Sequence, residues 1–114
     1  MNKRELAEAM RVGVQTPGVE ESIIHYLDSV QFPGFCKACA LGAALIGKFG
    51  GDYRKAENAY DDLNLDWCDA VRTLAHLLDI SEELAEKVEG WHLGDKPVAE
   101  IAAQLEQEES CRRD

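Results

Sequence analysis

The chain has 114 residues, a formal net charge of −10 and a hydrophobic fraction of 46%. Its length suits one compact domain with a radius of gyration of about 13 Å and a core that needs no covalent staples. The apolar content and the low proline count, three in all, exclude an intrinsically disordered chain.

The charge is uneven, with nine acids against seven bases in residues 1–65 and thirteen against five in residues 66–114. A surface of that sign repels phosphate backbones, which excludes direct nucleic-acid binding as an expectation and suits a basic protein partner. The opening MNKRELAEAM is charged and lacks an apolar stretch, so no signal peptide is expected. The four cysteines are then expected as reduced thiols of a cytoplasmic protein.

In chain order, a first helix is expected from Lys3 to Val12, with Leu6, Ala9, Met10 and Val14 as its stripe and Gly13 as its stop. Pro17-Gly18 marks a turn. Glu20 and Glu21 suit the positive end of a second helix, striped by Ile23, Leu27 and Val30 and ended by Pro33-Gly34.

The stretch Phe35 to Gly51 follows, with an uncharged run from Ala38 to Gly47. Turned as a helix, it places the small residues Cys36, Cys39, Ala40, Ala43 and Gly47 on one side. Ala38, Leu41, Leu45 and Phe49 fall opposite. A helix apolar nearly all round belongs in a core or a membrane. A membrane span needs roughly 20 apolar residues, so this run predicts a central core helix.

Gly50-Gly51 closes that helix, and Asp52 caps a fourth with Tyr53, Ala56, Tyr60 and Leu63 on one face and Asn64 as its exit. Asp66 is expected to cap a fifth, on which Trp67, Val71, Leu74 and Leu78 share a narrow arc, ending near Asp79. Ser81 caps a sixth, with Leu84, Val88 and Trp91 inward and Gly94 at its end. Pro97 opens a seventh, with Val98, Ile101, Ala102 and Leu105 inward, and QEESCRRD is expected to fray.

No run of strand length alternates, and the short connections fit an all-α, compact single domain over 1–114. Its architecture is expected to be a helical bundle or orthogonal array of about six to seven short helices, with 108–114 as a frayed tail.

Four constellations bear on chemistry. Cys36-Lys37-Ala38-Cys39 places two thiols near a helix N-terminus, where the dipole lowers a thiol pKa, although no strand of the thioredoxin kind is expected before it. As a zinc site the pair supplies half a tetrahedron, to be completed by Cys68 and His92. His25 and His76 fall opposite their apolar stripes, and Cys111 lies in the expected tail. The plainer reading of the cysteines is that small apolar side chains let another helix approach closely. Glu82, Glu83, Glu86 and Glu89, with Glu100, Glu106, Glu108 and Glu109, read as a solvated face or an acidic docking surface. KPVAEIAAQLE looks like the opening of a helix-turn-helix, but no basic recognition helix follows. No phosphate-binding loop or hydrolase motif is present.

The segment CALGAA, Cys39 to Ala44, with LAEAMRVG upstream and WHLGDKPVAEIAAQL downstream, resembles a loose group of small uncharacterised bacterial and phage proteins. Cys36 and Lys37 lie outside that pattern. The resemblance implies a bacterial or prophage setting and no particular activity. The expected function is a small acidic interaction or regulatory module, without a catalytic constellation or cofactor, that meets a protein partner or itself. The alternatives are a thiol-redox or zinc-binding protein using Cys36 and Cys39, and an acidic phage-type inhibitor of a nucleic-acid-binding protein.

Overall fold

The computed structural model describes the backbone of residues 1–21, 27–29, 36–67 and 69–111, and side chains over 1–19, 38–64 and 69–109. Among the described residues six helices carry the fold: α1 Lys3–Gln15, α2 Ala40–Lys48, α3 Tyr53–Trp67, α4 Ala70–Leu78, α5 Glu82–Leu93 and α6 Val98–Cys111. The domain is all-α in class. Its Cα radius of gyration, 13.0 Å, is that of a well-packed chain of this length.

Three short strands are found among the described residues: β1 Val19–Glu21, β2 Leu27–Ser29 and β3 Cys36–Ala38. β3 is central, parallel to β1 and antiparallel to β2. These strands overturn the second helix expected over Glu20–Val30. The stripe Ile23, Leu27, Val30 fits helical spacing, but β3 offers ladder partners on both of its edges, and tertiary pairing outweighs a short periodic signal. Ile23, His25 and Val30 lie outside the described residues.

The local reasons for each helix are legible in its caps. The Asn2 side chain accepts from the Glu5 amide at 2.8 Å, and Glu5 accepts from the Asn2 amide at 3.0 Å, a reciprocal capping box. Asp52 accepts from Lys55 N–H at 3.1 Å, as expected for the cap of α3. Asp69, rather than Asp66, caps α4 by accepting from Arg72 N–H at 3.2 Å. Trp67 therefore ends α3 instead of leading the next helix. Asp79 closes α4 in the left-handed region with φ 55°, Ser81 caps α5, and Gly94 ends it.

α2 is the centre. Every residue from Ala38 to Ile46 is buried. Its charged end, Lys48, donates to the Leu77 carbonyl and fixes the helix to the end of α4. The expected helix start at Cys36 is corrected: Cys36–Ala38 is strand, and Cys39 is the cap.

α1 runs past its expected stop. Gly13 lies inside the helix because that position is a crossing point. A Cβ on Gly13 would fall within the Ala43 carbonyl group, and one on Gly47 within the Ala9 carbonyl group. Ala9 and Gly13 on α1 thus mesh with Ala43 and Gly47 on α2, backbone to backbone. The tail is corrected as well: α6 continues to Cys111. Among the described residues no helix is long and apolar enough to cross a membrane.

Glycine in a helix interior ordinarily costs roughly 0.5–1 kcal/mol relative to alanine. At the crossing the sign reverses. Gly13→Ala and Gly47→Ala should each destabilise by at least the 1–3 kcal/mol or so of core overpacking. Gly90→Ala, with nothing within 4 Å of the added carbon, should stabilise by roughly 0.5–1 kcal/mol. Urea denaturation midpoints of the three variants check this; a stabilised Gly13→Ala would dissolve the crossing. Leu45 is fully buried, and Leu45→Ala should cost about 2–5 kcal/mol in the same assay.

Candidate functional site

The described residue types with the most chemical potential meet where α2 begins. β3 delivers the chain in extended form to Cys39, whose backbone is still extended at φ −77°, ψ −178°. The Cys39 sulfur accepts from Gly42 N–H at 3.3 Å, which satisfies one donor of the first helical turn.

A thiol in this place is expected to acidify, and the structure reverses that. Cys39 is 2% exposed. Burial raises its pKa well above the usual thiol range, and the neighbouring Glu89 carboxylate raises it further, by its charge and as a hydrogen-bond acceptor. The Gly42 and Leu41 amides pull the other way and lose. In water-free surroundings the cost of an uncompensated thiolate exceeds the gain from two N–H dipoles.

Glu89 departs from the sequence reading. It belongs to the acidic run assigned to solvent, yet it is 6% exposed and its Oε1 has no hydrogen-bond partner. Ala85, Val88, Glu89 and His92 are spaced 0, 3, 4 and 7 along α5, one continuous face, and all are buried. That spacing was the available signal, masked by the acidic neighbours Glu82, Glu83 and Glu86, which are exposed.

Of the four candidate ligands, two have described side chains. Cys39 and His92 are both buried, on the α2 cap and the inward face of α5. Cys36 is a residue of β3 whose side chain is outside the described set, and Cys68 lies outside the described residues. A short strand, β3, occupies Cys36–Ala38 inside the C-x-x-C segment itself, and the residues just before it, 30–35, lie outside the described residues. At about 3.3 Å per residue, three extended steps set the Cys36 and Cys39 Cα atoms roughly 10 Å apart. A disulfide spans about 4.4–6.8 Å between Cα atoms, so this backbone does not support a dithiol pair. Among the described residues no three of His, Cys, Asp and Glu are grouped to hold a metal ion. His76 is exposed, as expected.

The C-terminal carboxylates also divide. Glu108 receives Lys3 at 2.9 Å, Lys87 at 2.8 Å and Gln104 at 3.3 Å, joining α1, α5 and α6. These donors hold its pKa down to about 2, the Lys87 and Lys3 bonds contributing most. Arg11 donates to Glu106 at 2.6 Å and lowers that carboxyl below its ordinary range. Glu106 and Glu108 therefore fasten α6, and they leave the solvated face to Glu82, Glu83, Glu86, Asp95 and Glu100. An open cleft of about 430 Å³ lies between the N-terminus and the start of α5, lined by Lys3, Asp79, Glu83 and Lys87 among others. Its charges are mixed.

No protein-family model, curated protein or solved structure matches the chain.

Glu108 loses its proton more easily folded than unfolded, so its contribution is present above the ordinary carboxyl pKa of 4.5 and fades as pH falls toward about 2. Glu108→Gln should cost about 1 kcal/mol at pH 7, the scale of a partly exposed pair. It should also flatten the stability profile between those limits, read from denaturant midpoints across pH. Cys39 should label with iodoacetamide far more slowly than a free thiol at pH 7.5 in native buffer and at the ordinary rate in denaturant. Fast native labelling, located at Cys39 by peptide mapping, would contradict the buried assignment.

Proposed function

We propose that this protein is a small acidic interaction module, working in a bacterial or phage-infected cytoplasm, and that its partner is a basic protein. The observation that carries the reading is the division of its carboxylates. On α6, Glu106 and Glu108 are tied up in ion pairs with cations of α1 and α5, whereas Glu83, Glu86 and Glu100 are exposed on α5 and α6. Carboxylates arranged in that way give long-range attraction for a positively charged surface without entering the stability of the fold. The partner class includes nucleic-acid-binding proteins, whose basic surfaces have the complementary sign, which keeps the inhibitor alternative inside the same reading. Catalysis is not part of it, because the chemically capable pair, Cys39 and Glu89, is buried and its thiol is held neutral.

The test uses immobilised wild type and a Glu83→Lys/Glu86→Lys/Glu100→Lys variant with extract of the native host, and size-exclusion chromatography of each for self-association. The expected result is a basic protein retained by wild type, released as salt rises from ~0.05 to ~0.3 M through screening, and lost with the variant while its helical circular dichroism is unchanged. Equal capture by both proteins, or capture insensitive to salt, would overturn the reading.

The second reading, a structural zinc site, is favoured by one observation, the unpartnered Glu89 oxygen beside a buried cysteine. About one equivalent of zinc by elemental analysis of protein purified under reducing conditions, lost together with helical signal on chelation, would establish it in place of packing.

A further inference from the structure

We draw no further inference here: the strongest candidate, the buried Cys39–Glu89 pair between the start of α2 and the inward face of α5, belongs to the site already described and gains no third metal-type ligand among the described residues.

Discussion

The crossing of α1 over α2 is the constraint on which the rest of the structure depends. Two helices normally sit 8–10 Å apart because side chains fill the space between them. Here Gly13 and Gly47 remove the side chains at the points of contact, and the backbones of Ala43 and Ala9 occupy the space instead. The arrangement is reciprocal: each helix supplies one glycine and one alanine, four positions apart. Such a contact has little freedom to slide, because a shift by one residue brings a side chain against a carbonyl group. With α1 seated on its small face, the bulky residues Leu41 and Leu45 are free to meet other elements, and both are fully buried. α2 thereby acquires neighbours on the remaining sides, α4 and α5 among them.

The ion pairs add a second layer that follows from the first. α6 packs along α1, and the same pair of helices is fastened at two levels, Lys3 to Glu108 and Arg11 to Glu106. Lys87 reaches the same Glu108 carboxylate from α5, so one acceptor restrains three helices. A carboxylate with several donors keeps its charge more readily than one in water. This explains how the acidic C-terminal half of a strongly negative chain can stay helical to Cys111. Repulsion along α6 is offset by cations drawn from helices distant in sequence, where a helix reading of α6 alone sees only like charges and a fraying end.

Most of the helical fold was legible because its signals are local. Asp52, Ser81, Gly94 and Pro97 mark helix ends through chemistry contained within one turn. The two-sided character of the Ala38–Gly47 run was legible for the same reason, and the small face meets α1 as its composition implied. What escaped depends on partners far along the chain. Gly13 reads as a stop in isolation and becomes a contact only once α2 lies against it. The β1–β3–β2 sheet is built from three-residue strands, too short to show alternation. Asp66 and Asp69 are equally good caps by type, and only the packed structure selects the second.

The candidate site was legible in part, and the reason for the failure bears on its chemistry. Cys39 was recognisable as special, but its acidity depends on two opposing effects whose balance is set by the surroundings. The helix start favours a thiolate through two amides; burial and a neighbouring carboxylate oppose it and prevail. Burial leads that balance and Glu89 adds to it, arriving from α5, fifty residues further along the chain, hidden in a run of exposed acids. A nucleophilic cysteine needs a cationic or hydrogen-bond-donating environment together with access to substrate. The Cys39 environment is anionic and closed. The pair therefore belongs to the interior of the domain, where the thiol packs rather than reacts.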